Sequence, residues 1–231
     1  MSESLHIAFA AESAKGTDRV PRAIKTLNER YADVLFSPWT IEDRRCTAIA
    51  QASPLAHRAA RLTEMTFELA LRAHPQPVTL GLGLAAGPAL AHARAQDALE
   101  SAARQRLSLQ ASGFDEIAGE LGLGHAVSGS WCAVGALTCN WTERQAQFVR
   151  WVLRDGVLDW RRDPPRFVPE RRRKEAALAF GVSPSVVTES LQAADIGAFR
   201  HGVWSAAWQL AAALRAYRST ASASSSSMMR S

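Results

Sequence analysis

The run from Arg173 to Ala194, RKEAALAFGVSPSVVTESLQAA, constrains this chain more than any other stretch. It predicts a helix of about seven residues ending at Phe180, a tight turn at Gly181 and a second helix opened by Ser183. Glycine adopts the left-handed backbone of such a turn without a Cβ penalty. Ser183 offers a capping hydroxyl, and Pro184 suits the first helical position. Val187 and Leu191 are four residues apart and face inward, Val182 tucks into the core, and Ala177 is small enough for two helices to cross. Together these are the requirements of a helix-turn-helix, placed over residues 171–195. Ser183, Ser185, Val186, Thr188, Glu189 and Gln192 fall on the exposed face of the second helix. Of these, Ser183, Ser185, Thr188 and Gln192 suit contacts to phosphates or base edges. Arg171, Arg172, Arg173 and Lys174 open the first helix and suit a phosphate backbone. A plain helical hairpin shares the glycine turn, so the motif rests on the coincidence of small residue, glycine, cap and spaced anchors. Glu189 opposes tight binding, because it repels phosphate.

Charge is concentrated beside this motif. The chain carries a net charge of +5, and residues 161–174 (RRDPPRFVPERRRK) hold seven basic and two acidic residues, which leaves the rest near neutral. A localised basic patch is the footprint of a phosphate partner, whereas spread charge serves solubility. The other reading of such a run is a solvated linker. Cys46, Cys132 and Cys139 form no C-x-x-C pair, so neither a disulfide framework nor a metal site is expected. Buried thiols fit a reducing, cytoplasmic setting. No apolar run is long enough for a membrane span, and no signal peptide is visible. The serine-rich stretch from Ser219 to Ser231 reads as disordered.

The first half alternates strand and helix. Strands are predicted over residues 5–11, 35–41, 46–50 and 78–85, and helices over 20–34, 53–73 and 91–109. Pro38 marks its strand as an edge or a bulge, and Glu42-Asp43-Arg44-Arg45 makes a hairpin plausible. Leu80, Leu82 and Leu84 share one face, while Gly81 and Gly83 on the other imply close packing of a helix or a ligand. The order argues for one sheet with helices on one side, a ferredoxin-like βαββαβ arrangement within an α+β chain. From Glu120 the chain turns helical and rich in tryptophan, with Trp131, Trp141, Trp151, Trp160, Trp204 and Trp208 expected mainly in the core. Asn140 or Thr142 caps a helix there. The predicted division is a sheet domain over 1–118, a helical connector over 119–163, a helix-turn-helix domain over 164–218 and a tail over 219–231. The last helix, striped with Val203, Trp204, Ala207, Trp208, Ala211 and Leu214, is expected to pack within the chain.

The sequence resembles the SatD family, in which a degenerate nucleotide-cyclase-like domain precedes a helix-turn-helix. The matching pieces are Glu12-Ser13 after the first strand, TIEDRRC (Thr40 to Cys46), VTLGLGLAAG (Val78 to Gly87), DALESAARQRL (Asp97 to Leu107), WTERQ from Trp141, and GVSPSVVTESLQAAD up to Asp195. Cyclases place carboxylates at the first strand's end and at the hairpin to hold two metal ions, which would here be Glu12, Glu42 and Asp43. The family hairpin resembles G-D-E-F-Q, whereas this chain has no glycine there, and Asp97-Ala98 stands where the family shows D-G. Arg44 and Arg45 are placed to neutralise the carboxylates.

The resemblance therefore implies a DNA-binding regulator with DNA as partner, whose first domain serves as sensor or dimerisation unit without catalytic residues, cofactor or metal. Two other readings stand beside it: a nucleotide-processing enzyme using Glu12, Glu42 and Asp43, and a protein-interaction scaffold.

Overall fold

Six consecutive buried residues, 6–11, begin β1 (His6–Ser13), as expected of a strand covered on both faces and paired on both edges. The computed structural model describes residues 5–13, 19–52, 55–114, 122–159, 166–168 and 173–228. After β1 come α1 (Arg19–Arg30), β2 (Leu35–Glu42), β3 (Arg45–Gln51), α2 (Ala56–Ala73), β4 (Val78–Ala85), α3 (Pro88–Gln105) and β5 (Leu109–Ser112). Then follow α4 (Leu123–Cys139), α5 (Glu143–Val152), β6 (Leu158–Asp159), β7 (Arg166–Phe167), α6 (Arg173–Phe180), α7 (Pro184–Ala193) and α8 (Ile196–Met228). The described residues thus form a mixed α+β chain with one five-stranded sheet and eight helices.

Strand order is β2-β3-β1-β4-β5. β1 runs antiparallel to both β3 and β4, β2 and β3 form an antiparallel hairpin, and β5 lies parallel to β4. Pro38 sits on the edge strand where the β2–β3 register shifts, so its missing N–H disturbs no regular ladder. β5 was not expected. Its four residues follow a helix whose alanine-rich pattern predicts helix on to Leu109, but α3 ends at Gln105 and Arg106 turns left-handed. The predicted cap Ser53-Pro54 lies outside the described residues, and α2 begins at Ala56 with Leu55 in the cap position.

The helices do not all cover one face, contrary to the sequence expectation. Ile7, Phe9 and Ala11 share a core with α1 and α2, whereas Ala8, Ala10 and Ala85 pack with Ala91, Ala95 and Leu99 of α3. The cause is side-chain size. Gly81 and Gly83 lie so close to α3 that a Cβ on either would strike its backbone. Small residues on that face let a helix backbone approach the sheet at close range.

α2 is the axis of the molecule. Residues 62–69 are buried all round, because one side meets the sheet core and the other meets α8 and α4. The largest apolar cluster runs without a break from Ile7 through Leu62 and Met65 to Trp131, Phe199 and Leu214. Trp131 and Trp141 are core residues as expected, Trp204 is 39% exposed, and Trp160 lies outside the described residues. α8 packs within the chain and continues as helix to Met228, through serines that composition had left unstructured. The chain has neither glycine nor proline after Gly202, and extending an anchored helix avoids the cost of nucleation.

Candidate nucleic-acid interface

α6 and α7 meet at a turn whose hydrogen bonds account for its sequence. Gly181 has φ +63°, the left-handed region. Its N–H donates to the Leu178 carbonyl at 3.3 Å, and the Val182 N–H donates to the Ala177 carbonyl at 2.9 Å. This pair closes the end of α6 in the Schellman manner, with Val182 half-buried behind it. Ser183 then caps α7: its hydroxyl accepts the Val186 N–H at 3.4 Å, with Pro184 in the first turn. Ala176, Ala177, Val187 and Leu191 are buried at the crossing. Ser183→Ala is expected to cost about 1 kcal/mol of stability, read as a lower midpoint in urea with an unchanged slope.

A third helix packs on this pair. α5 packs against both α6 and α7, and Phe148 meets Phe180 edge to face at 5.0 Å between centroids. α5 is itself firmly started. Thr142 accepts the Gln145 N–H at 3.2 Å, and the Gln145 side chain accepts the Thr142 N–H at 2.7 Å, a reciprocal capping box. Of the two caps that the sequence left open, Thr142 is the one used, and Asn140 instead ends α4. Between α7 and α8 stand only Ala194 and Asp195, and the Asp195 carboxylate accepts the Ala198 N–H at 3.1 Å. The two-stranded β6–β7 pair instead precedes α6.

The polar residues on α7 are not equivalent. The Ser183 and Ser185 hydroxyls bond each other at 2.8 Å, and Thr188 donates to the Pro184 carbonyl at 3.0 Å. All three hydroxyls are therefore engaged locally. Gln192 is exposed and its amide makes no hydrogen bond among the described residues, so it keeps the two-pronged donor and acceptor set that matches an adenine edge. Glu189 is exposed on the same helix. Lys174 is exposed at the start of α6, Arg173 is half-buried, and Arg171 and Arg172 lie outside the described residues.

The carboxylates of the first half are placed differently from a metal-holding set. Glu12 lies 3.6 Å from Arg44 and 3.9 Å from Arg45, and Arg45 also reaches Glu100 at 3.8 Å. Glu42 opposes Arg45 in the hairpin, while Asp43 forms the turn with φ +55°. Among the described residues no group of three His, Cys, Asp or Glu side chains is arranged to hold a metal ion. No described helix is long and apolar enough to cross a membrane. Comparison of the chain with protein-family models, curated proteins and solved structures finds no match.

Proposed function

We propose that the protein is a DNA-binding regulator of the SatD type, in which α5, α6 and α7 form the DNA-binding unit and the sheet serves as a sensor or dimerisation unit. The observation that carries this reading is the α6–α7 turn, in which the Gly181 geometry, the Ser183 cap and the buried crossing of Ala177 with Val187 and Leu191 occur together. The strand order β2-β3-β1-β4 supports it, since a ferredoxin-like βαββαβ unit has this antiparallel order, and β5 is then an addition. The pairing of Glu12 with Arg44 and Arg45 favours a regulatory over a catalytic use of that unit.

Two roles separate on the motif. Basic residues at the start of α6 supply affinity through phosphates, and Gln192 supplies discrimination. In fluorescence anisotropy with a random-sequence duplex, the combined change Arg171→Ala, Arg172→Ala and Lys174→Ala is expected to weaken binding at every salt concentration. The slope of log K against log salt should fall by roughly two to three. Gln192→Ala is expected to leave that slope unchanged and to flatten the base preference recovered by selection from a random pool. Binding insensitive to both changes, or independent of salt, overturns the proposal.

A further inference from the structure

A cavity of about 220 Å³ lies where α1, α2, α5, α6 and α8 converge. Its exposed wall is mostly apolar, with Phe67, Leu71, Trp151 and Phe199 among the lining and Phe180 at the end of α6 on one side. The two carboxylates that also line it are both engaged, Glu64 by the Val157 and Leu158 N–H groups at 2.8 and 3.0 Å and Glu68 by Arg30, Arg72 and Tyr31. It shares Arg72, Gln147 and Arg150 with an adjoining groove, which also presents Arg19 and Arg22 and holds Glu143 as its one carboxylate. An apolar chamber thus opens onto a cationic rim.

The rim charges are unevenly satisfied. Arg19 donates to Glu143 at 2.7 Å and to the His74 carbonyl at 2.6 Å. Arg72 is held by Glu68 at 2.7 Å. Glu68 is already occupied by Arg30 and by the Tyr31 hydroxyl at 2.9 Å. Arg150 is half-buried, and no described carboxylate lies within ion-pairing distance of its guanidinium. Burial, and then the neighbouring Arg72 charge, weaken its hold on the proton, against an opposing pull from Glu68. A guanidinium carries five N–H donors, and leaving them partly desolvated beside like charge is unfavourable. An incoming anion would reverse that, because hydrogen bonds between charged partners are the strong ones.

We propose that this cavity and its arginine rim bind a small organic carboxylate, with a flat apolar ring in the chamber and the carboxylate on Arg150. The volume sets the class. The chamber alone falls below the ~300 Å³ at which pockets for drug-sized ligands begin, which suits a single ring within it. The apolar interior disfavours a bare phosphate, which has no surface to bury there. This site stands whether or not α7 engages DNA.

The test is isothermal titration calorimetry of the full chain with benzoate, benzyl alcohol and inorganic phosphate. Benzoate is expected to bind more tightly than either of the others by about tenfold or more. Arg150→Gln should weaken benzoate by about tenfold, and Arg22→Gln, on the exposed rim, by about threefold. The Arg22 variant decides if the Arg150 variant does not fold. Absence of benzoate binding, benzyl alcohol or phosphate binding as tightly as benzoate, or unchanged benzoate affinity in the folded variants overturns the proposal.

Discussion

Gly83→Val is expected to yield no soluble folded protein, and Gly83→Ala a protein destabilised by about 3 kcal/mol or more. A Cβ at Gly83 would fall onto the Ala91 carbonyl and the Ala95 backbone nitrogen, and one at Gly81 onto the Ala95 carbonyl and the Leu99 nitrogen. These are backbone atoms of α3, so no side-chain rotation relieves the clash. The helix itself must move, although it is packed on β1, β4 and β5 together. A loss of that size is a large share of the 5–15 kcal/mol that holds most domains folded. Gly129→Ala is the matched control. That glycine is exposed in the interior of α4 with open space at its Cβ position, so alanine there should stabilise by roughly 0.5–1 kcal/mol. Guanidinium unfolding of the three alanine variants (81, 83 and 129) measures the contrast. Equal midpoints for Gly83→Ala and Gly129→Ala would show that α3 does not sit on the glycines.

Glu68→Ala is the second large effect, expected at about 3 kcal/mol. The Glu68 side chain is 11% exposed and receives Arg72 at 2.6 Å, Arg30 at 3.1 Å and the Tyr31 hydroxyl at 2.9 Å. Its removal leaves two mostly buried guanidiniums and a phenol with no acceptor. Most of the cost is that of unpaired charge, not the net value of the pairs. Tyr31 is already held well above its usual range, first by burial and then by the Glu68 charge, so it cannot compensate by ionising near neutral pH. For a chain of this size the midpoint of thermal unfolding should fall by about 10 °C. Glu68→Gln retains one acceptor oxygen and should fall less. A Glu68→Ala midpoint within 2 °C of the parent would show that solvent already satisfies the arginines (about 2 °C is the shift from less than 1 kcal/mol).

Local features were legible in the sequence, and assembled ones were not. The α6–α7 turn could be read residue by residue, because glycine, cap and anchors all lie within one short run. Thr142 is legible as one of two candidate caps, with Asn140, for the same reason. Gly81 and Gly83 announced a close approach, yet left open whether a helix or a ligand made it; the alanines at 8 and 10 on the adjoining strand complete the surface for α3. β5 has no signature of its own, because Leu109 continues the spacing of the helix before it and four residues show too little alternation. The arginine rim had no sequence signature at all. Arg19, Arg22, Arg72 and Arg150 belong to three different helices, and only the packing of α1, α2 and α5 gathers them.

The two-residue joint at Ala194 and Asp195 has a mechanical consequence. α7 follows into α8 with no slack, and α8 is clamped along α2 and α4 by buried residues from Phe199 to Leu214. α7 is therefore the short arm of a bent pair, with the joint as its elbow. It does not swing on a tether: α5 and α6 pack against it as well, so its orientation is fixed by the core that these helices share. A tilt of α8 therefore strains the packing of α7 on α5 and α6, and any ligand that fixed α7 would bias α8 in return.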